Sequence, residues 1–246
     1  MKVIKTIFFS LFTIFLAAQS EISPLEIIEK IDANMVSENR IVESKMIVYG
    51  NRRDRTVESK SYSRGSTDSY TEYTAPSREK GTKMLKLEDQ LWMFSPQSER
   101  TIKISGHLLK QSVMGSDLSY EDMMEQRELV DIYDVKLVGN EVIDGRDCYV
   151  LELNAIVEDV TYIKRKMWVD SERFVPLKED LFAKSGTLLK QVTLSDVQQI
   201  QGRWYPMKIN YRDVLRSGKG TDYEIVSLKL NVDIPEYLFT KSVLIN

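Results

Sequence analysis

The sequence predicts a mainly β protein built on one curled antiparallel sheet, an incomplete barrel of about ten or eleven strands. Short apolar runs recur along most of the chain, and polar turns separate them. Met207, Ile209 and Tyr211 show the clearest alternation, with a charged or polar residue after each. Such spacing indicates an antiparallel meander and not βαβ units. Because so many strands cannot form a flat open sheet, the sheet is expected to curl.

An N-terminal helix is predicted over residues 24–38. Ser23 can cap it, Pro24 suits the first turn, and Glu26 stands where a capping box needs a carboxylate. One stripe of the helix is apolar and contains Leu25, Ile28, Ile31 and Met35. The helix is expected to pack on the concave side of the sheet.

Strand runs then continue from Ile41 to Leu230. Asp144-Gly145 predicts a hairpin turn, and the apolar parity changes after Ile225, which predicts a bulge. The arginines after Asn51 are interpreted as a solvated hairpin tip, with an acidic partner or lipid headgroups as the alternative.

The stretch 81–124 organises the prediction of a binding site. It begins with short β runs and continues after Gly106 as an apolar segment broken by Gly, Ser and Asp. A long apolar loop that leaves a sheet must cover something, so this segment is predicted to be a short helical flap over the concave face. The predicted lipid-binding residues of the cavity and the flap are Leu85, Leu87, Trp92, Phe94, Ile102, Leu108, Leu109, Met114, Met123 and Met124.

Several methionines lie in this stretch, and their flexible side chains suit apolar ligands of varied shape. The alternative is a loop that fills the core with its own side chains. Asp117, Glu121 and Asp122 permit a calcium site or, as the favoured interpretation, a capping box from Ser119 to Asp122.

Residues 1–20 resemble a secretory signal peptide, with Lys2 and Lys5 before a short apolar core and small residues near Ala18. An uncleaved anchor is the alternative. The mature protein is therefore expected in the periplasm, as one domain over residues 21–246. A net charge of −3 without a basic block gives little support for nucleic-acid binding.

Composition argues against an enzyme. His107 is the one histidine, no nucleophile elbow accompanies it, and no metal-protease, P-loop or dinucleotide motif is present. Cys148 is the one cysteine, which excludes an intramolecular disulfide and favours a buried apolar role. We expect no cofactor, no metal ion and no catalytic residue.

Several motifs together resemble those of LolA-like proteins, the outer-membrane lipoprotein-sorting family, and a related spirochaete lipoprotein family of uncharacterised function. The run from Leu85 to Ile104 and the segment Met114 to Asp122 carry the likeness in the first half. Met167-Trp168-Val169-Asp170, Gly202-Arg203-Trp204-Tyr205-Pro206 and the ending 234–244 carry it in the second half.

This resemblance implies an incomplete barrel, capped by helices, that carries the acyl chains of lipoproteins or other envelope lipids toward the outer membrane. It also implies an inner-membrane transporter and an outer-membrane acceptor as partners of a monomeric carrier. An arginine controls the lid of LolA itself, and Arg78 and Arg100 are the candidate counterparts. The alternative function is a regulatory or accessory interaction domain, either an envelope-stress sensor or a partner of an RND-type lipid exporter.

Overall fold

A computed structural model describes residues 22–50 and 52–245. The strands are β1 Asn39–Val48, β2 Arg55–Arg64, β3 Asp68–Ala75, β4 Lys83–Leu87, β5 Gln90–Ser95, β6 Arg100–Ile104, β7 Tyr133–Ile143, β8 Arg146–Ala155, β9 Lys164–Asp170, β10 Pro176–Phe182, β11 Leu188–Ile200, β12 Arg203–Asp213 and β13 Thr221–Leu230. The helices are α1 Pro24–Met35, α2 Tyr120–Met124 and α3 Leu129–Ile132. The predicted signal peptide, residues 1–20, lies outside the described residues.

All of these strands form one antiparallel sheet with the order β6-β5-β4-β3-β2-β1-β13-β12-β11-β10-β9-β8-β7. The pairing of β1 with β13 joins the two halves of the chain, so β6 and β7 form the edges of the sheet. The predicted class, a curled antiparallel sheet, is confirmed. No described helix is both long and apolar enough to cross a lipid bilayer.

The predicted count of ten or eleven strands is wrong, because the sheet has 13. The short runs β4, β5 and β6 each form a complete strand of 5 or 6 residues. Tight turns at Glu88 and Glu99, both with positive φ, keep them separate. The stretch 81–104 therefore holds three strands of the sheet.

The pairing register places one set of side chains on the face of the sheet that carries α1. Met46 pairs with Val57 and Tyr223, Ile209 lies opposite Tyr223, and the same face continues to Met167. We call this the inner face. Helix α1 packs there through Ile27, Ile28 and Ile31 against a cluster that includes Leu151, Leu153, Met167 and Val169.

The prediction of α1 is confirmed at its start. Ser23 caps the helix by accepting a hydrogen bond from the Glu26 backbone N–H at 3.1 Å. The helix ends at Met35, three residues before the predicted end, and Val36 is already extended. Its buried stripe contains Ile27, whereas Leu25 is 54% exposed.

Two predicted irregularities of the strands are also confirmed. Asp144 and Gly145 both have positive φ, as a two-residue hairpin turn between β7 and β8 requires. The pairing of β1 with β13 skips Val226, which is the predicted bulge. Val226 consequently points away from the inner face and is 57% exposed.

The opposite, outer face is covered over β2–β5 by the C-terminal segment 236–244. Leu238, Val243 and Leu244 of this segment pack on Tyr70, Leu85 and Trp92. Both faces of β4 are therefore buried, which matters for the site described below. Cys148 is buried elsewhere on the outer face, beside Val150 and Trp168, in the apolar role predicted for it.

Asp32 of α1 allows a pH test of the helix packing. Its Oδ2 atom is buried and has no hydrogen-bond partner among the described residues. Burial raises the pKa of Asp32 to about 6, and Glu128 and Asp131 add to the rise. A carboxyl group with a raised folded-state pKa stabilises the fold fully below its unfolded value of 3.8, and this contribution is lost as the pH rises through about 6.

We therefore expect Asp32→Asn to raise the free energy of unfolding by about 1 kcal/mol above roughly pH 7, and by much less near pH 4. Urea unfolding at the two pH values measures the difference. Glu29→Gln, an exposed substitution on the same helix, serves as the control and should change little at either pH. A gain for Asp32→Asn that is equal at both pH values would contradict the assigned pKa.

Candidate ligand-binding site

The segment 106–124, which we call the flap, crosses the inner face over β1–β6. It consists of two 3-10 turns, Gly106–Lys110 and Val113–Gly115, followed by helix α2. Val113 and Tyr120 are its buried apolar residues, and they pack against Met46, Val57 and Tyr73 of the sheet. The sequence-based expectation that this apolar segment lies across one face of the sheet agrees with this position.

A capping box starts helix α2, as predicted. The Ser119 hydroxyl accepts a hydrogen bond from the Asp122 backbone N–H at 3.3 Å, and the Asp122 carboxylate accepts one from the Ser119 N–H at 2.7 Å. Two of the unpaired N–H groups at the helix start are thereby satisfied. The box also fixes the direction of the Asp122 side chain.

Asp122 ties the flap to the far side of the inner face. Its carboxylate accepts a hydrogen bond from the Tyr162 hydroxyl at 2.5 Å and forms an ion pair with Lys190 of β11. The side chains of Asp122 and Lys190 are only 11% and 10% exposed. Burial raises the pKa of Tyr162, and the neighbouring Asp122 carboxylate raises it further, so Tyr162 acts here as a hydrogen-bond donor.

Arg55, at the start of β2, holds the middle of the flap. Its guanidinium donates a hydrogen bond to the backbone carbonyl of Met114. Met114 and Gly115 have φ angles of 50° and 74°, which turn this carbonyl toward Arg55. A Cβ atom at Gly115 would lie 3.3 Å from the Arg55 Nη2 atom. The positive φ favours glycine at this position, and a larger residue would also shift the Arg55 guanidinium by a few tenths of an ångström.

A third set of contacts joins the flap to β12 and β13. The Thr221 hydroxyl donates to the Asp117 carboxylate at 2.8 Å, and the Asp213 backbone N–H donates to the same carboxylate at 3.2 Å. Arg216 donates to the Ser116 carbonyl at 2.7 Å. The flap is thus fastened mainly by polar contacts along its length, while its apolar side chains turn toward the sheet.

A cavity of about 300 Å³ lies between the flap and the inner face. Leu118, Met123 and Met124 of the flap line one side of it. The apolar and aromatic residues that line the sheet side are Val42, Met46, Val57, Tyr73, Met84, Leu91, Tyr205, Ile209, Tyr211, Tyr223 and Ile225. Burial raises the pKa of Tyr73, Tyr211 and Tyr223, so these phenols stay neutral at ordinary pH.

The remaining floor of the cavity is polar. Alternate residues of β2, namely Ser59, Ser61 and Ser63, point into it together with Ser69 and Thr71 of β3. Ser61 and Thr71 share a hydrogen bond of 2.8 Å across the strands, and Ser59 shares one of 3.0 Å with Ser44. Arg40 and Lys86 line the same end of the cavity. The cavity is therefore amphipathic.

A second cavity, of about 610 Å³, adjoins the first at Lys86, Met124, Glu125 and Gln126, which line both. Five of its other eleven lining residues are acidic, namely Glu88, Asp89, Glu121, Glu158 and Asp159. Arg127, also at its wall, pairs with Glu125 at 2.5 Å. We call this space the outer cavity.

The predicted site residues divide between two places. Leu108, Leu109, Met114, Met123 and Met124 lie in or beside the apolar cluster under the flap. Ile102 shares the inner face on edge strand β6 and is 44% exposed. Leu85, Leu87, Trp92 and Phe94 lie on the outer face beneath the C-terminal segment and do not line the cavity. Of the ten predicted residues, Met123 and Met124 line the cavity itself.

Sequence reasoning missed the serines of β2 and Lys86 because alternate polar residues usually face water. In β2 the alternation was visible, since Val57, Ser59, Ser61 and Ser63 share one parity. The tyrosines of β12 and β13 were visible as strand residues, but no local signal places them in a cavity. Long-range pairing brings these strands beside β1.

The two arginines suggested as lid residues do not contact the flap among the described residues. Arg78 is 78% exposed and lies 3.9 Å from Glu79, and Arg100 is exposed on edge strand β6. Arg55 and Arg216 contact the flap backbone instead. The sequence predicts a solvated hairpin tip for Arg55. No local pattern links it to Met114, which lies 59 residues further along the chain.

The chain is similar to a family model and to several solved structures. A family model described as "-like: Uncharacterized protein" matches residues 65–246. A LolA superfamily protein from Nitrosomonas europaea is 28% identical, with a TM-score of 0.75 over 90% of this chain and 99% of that chain. A DUF1329 family protein from Desulfovibrio piger is 26% identical, with a TM-score of 0.80 over 91% and 100%.

An outer-membrane lipoprotein-sorting protein domain from Vibrio parahaemolyticus shares the fold, with a TM-score of 0.77 and 23% identity over 91% of this chain and 98% of that chain. Among curated proteins, none matches this sequence.

Proposed function

Because this chain belongs to the LolA-like family, we propose that it is a periplasmic carrier that shelters acyl chains between its flap and its sheet. Its cargo is the acyl part of lipoproteins or of other envelope lipids in transit toward the outer membrane. The proposal assigns no chemical reaction to the protein. It places the protein beyond the inner membrane, in keeping with the signal peptide predicted at residues 1–20.

The observation that carries the proposal is the flap-covered cavity lined by methionine, tyrosine and branched apolar side chains. Each methylene group transferred from water into such a space contributes about 0.8 kcal/mol. One chain of moderate length therefore gives useful affinity without covalent chemistry. Methionine side chains at Met123 and Met124 can repack around chains of different shape.

The polar fastening of the flap supports release as well as binding. The hydrogen bonds of the flap can exchange for water, but opening also exposes the apolar cluster in which Val113 and Tyr120 are buried. Acyl chains that cover this cluster would lower the cost of opening. A carrier of this kind needs a donor at the inner membrane and an acceptor at the outer membrane. We propose both as partners of a monomeric protein.

Filling the cavity tests the proposal. Ile225 lines the cavity and is 9% exposed, whereas its neighbour Val226 points outward from the same strand and is 57% exposed. We expect Ile225→Trp to weaken binding of a fluorescent fatty-acid probe about tenfold or more, because the indole occupies the space of the chain. Val226→Trp should bind like the wild type. Titration of the probe by fluorescence measures both.

Met124→Trp, on the flap, provides an independent variant if Ile225→Trp folds poorly. Equal binding by the cavity-filling and the outward variants, or no probe binding by the wild type, would overturn the proposal. A regulatory or accessory domain gives a different result. Its complex with a membrane partner would survive Ile225→Trp, and native mass spectrometry of protein from its own envelope would find no lipid.

A further inference from the structure

Lys86 is an unusual residue for the interior of a lipid carrier. It lies on β4 between Leu85 and Leu87, but its side chain points to the inner face and is 5% exposed. Its Nζ atom donates to the Ser66 carbonyl at 2.7 Å. Among the described residues, no carboxylate forms an ion pair with it. Burial lowers the pKa of Lys86, although the carboxylates of Glu125 and Asp68 act in the opposite direction.

A second cation and two hydroxyls share a row with Lys86 across the sheet. Arg40 pairs with Ser63, Ser63 with Ser69, and Ser69 with Lys86. Three strand spacings separate the ends of this row, or roughly 14 Å between Cα atoms. The long side chains of Arg40 and Lys86 can therefore approach one group held over the serines. Among the described residues, none forms an ion pair with Arg40, and none accepts a hydrogen bond from the hydroxyl of Ser63 or Ser69.

The carboxylates nearest this row are already paired with other arginines. Asp68 binds Arg64 at 2.6 Å, and Glu125 binds Arg127 at 2.5 Å. Asp122, farther along the cavity, is paired with Lys190. The carboxylates of Asp68 and Glu125 attract Lys86 through space, but among the described residues no carboxylate forms a direct ion pair with Lys86 or Arg40. A buried cation that lacks a counter-ion favours binding of an anion.

We propose that Lys86, Arg40, Ser63 and Ser69 bind the oxyanion of a single-chain amphiphile, a carboxylate or a phosphate, whose hydrocarbon chain lies along the tyrosine and methionine side of the cavity. This inference rests on the proposed carrier function and names the class of its ligand. The oxyanion completes the hydrogen bonds of the row, and the chain replaces water beside the apolar walls.

The dimensions of the cavity fit one chain. From Arg40 to Met46 along β1 the distance is roughly 20 Å, at about 3.3 Å per residue. A volume of about 300 Å³ lies at the lower end of the range of small-molecule pockets, which suits one chain of moderate length. A cargo with several chains requires the flap to move outward.

The outer cavity limits the position of the oxyanion. Its carboxylates, among them Glu88, Asp89, Glu121 and Glu158, repel an anion that is held outside Lys86. The same carboxylates accommodate a cation attached to a phosphate. A zwitterionic headgroup is therefore compatible with the row as long as its phosphate lies inward and its amine lies outward.

Binding of three probes with the same chain tests the proposal on the full mature protein. Dodecanoate, dodecylphosphocholine and dodecanol are titrated below their aggregation concentrations by calorimetry. We expect the wild type to prefer dodecanoate or dodecylphosphocholine over dodecanol about tenfold or more, from the charge-assisted hydrogen bonds of the row. The preferred probe of the two identifies the oxyanion as a carboxylate or a phosphate.

Lys86→Met should abolish most of this preference and leave dodecanol binding within about threefold of wild type. Arg40→Gln is the second variant and should reduce the same preference. Lys103→Met is the matched control, because Lys103 is an exposed lysine on β6 whose side chain lies over the outer-face ring of Trp92. Unfolding midpoints establish that each variant is folded.

The outcomes distinguish failure of the oxyanion site from failure of the carrier function. Equal wild-type affinity for all three probes, or a loss in Lys86→Met that is the same for dodecanol and dodecanoate, refutes the oxyanion site and leaves the carrier function standing. Absence of binding for every probe refutes both. Inorganic phosphate that binds as tightly as dodecylphosphocholine would show that the row binds a free anion, and it would refute an amphiphile as the ligand.

Discussion

Replacing Asp122 by alanine is expected to lower the free energy of unfolding by about 3–5 kcal/mol, because it breaks a buried ion pair from one side. Lys190, 10% exposed, would keep its charge without a carboxylate. The Tyr162 hydroxyl would lose its acceptor, and helix α2 would lose one half of its capping box. The C-terminal end of the flap would then be held mainly by the packing of Tyr120 against the sheet.

Urea denaturation measures this loss, and hydrogen exchange of the amides in 113–124 locates it in the flap. Glu121→Ala is the matched control, since it removes one carboxylate from the same turn without breaking an ion pair among the described residues. A double variant, Asp122→Ala with Lys190→Met, should recover much of the stability because the unpaired ammonium is removed. Equal effects of Asp122→Ala and Glu121→Ala would contradict the assigned role.

The same substitution tests the flap as a lid. If the carrier holds its ligand beneath the flap, Asp122→Ala should raise the dissociation rate of a bound fatty-acid probe more than it lowers the association rate. Stopped-flow displacement separates the two rates. An unchanged dissociation rate with faster flap exchange would mean that opening of this end does not control release.

Asp170→Ala is expected to have a comparable effect on stability, about 3–5 kcal/mol, through a different part of the fold. Asp170 is the last residue of β9, and its side chain is fully buried. Its carboxylate accepts hydrogen bonds from the side chains of Arg146 at 2.9 Å and Arg173 at 2.7 Å. It also accepts hydrogen bonds from the backbone N–H groups of Glu172 and Arg173, both at 3.0 Å. Removal of the carboxylate would leave the two backbone N–H groups and the Arg173 side chain without this acceptor, while Arg146 would keep its exposed partner Glu172.

The pH dependence of Asp170 has the opposite sign to that of Asp32. Burial alone would raise the pKa of Asp170, but the hydrogen bonds from Arg146, Arg173 and Glu172 hold it well below its usual range. Its stabilising contribution is therefore present above the unfolded value of 3.8 and is lost as the pH falls toward the folded-state value.

Asp170→Asn should accordingly weaken the protein at neutral pH and flatten its loss of stability in acid. Glu172→Gln is the control, because Glu172 pairs with the same Arg146 at 2.6 Å but is 76% exposed. An exposed pair contributes at most about 1 kcal/mol. If Glu172→Gln were as damaging as Asp170→Asn, burial would not be the source of the effect.

Local signals in the sequence predicted much of the fold. Ser23 and Glu26 mark the start of α1, Asp144-Gly145 marks a hairpin, and the change of parity after Ile225 marks the bulge at Val226. Each of these is decided by hydrogen bonds or backbone angles within a few residues. The sheet has 13 strands where ten or eleven are predicted, although the short runs that form β4, β5 and β6 are visible in the sequence.

The assignment of side chains to the cavity was less successful, for a reason that β4 makes clear. The sequence predicts Leu85 and Leu87 in the cavity, but the C-terminal segment covers these leucines and Lys86 lines the cavity instead. Alternation identifies two faces of a strand and does not say which face a distant segment will cover. The same limit applies to the serines of β2.

By itself, the sequence determined that the chain forms successive antiparallel strands, capped helices and an apolar flap after Gly106. Short-range patterns encode each of these features. Only the tertiary structure decided that Lys86, Arg40 and the β2 serines share a cavity with Tyr205, Tyr211 and Tyr223. These residues come together through the pairing of β1 with β13, a contact between the two ends of the chain that no local pattern specifies.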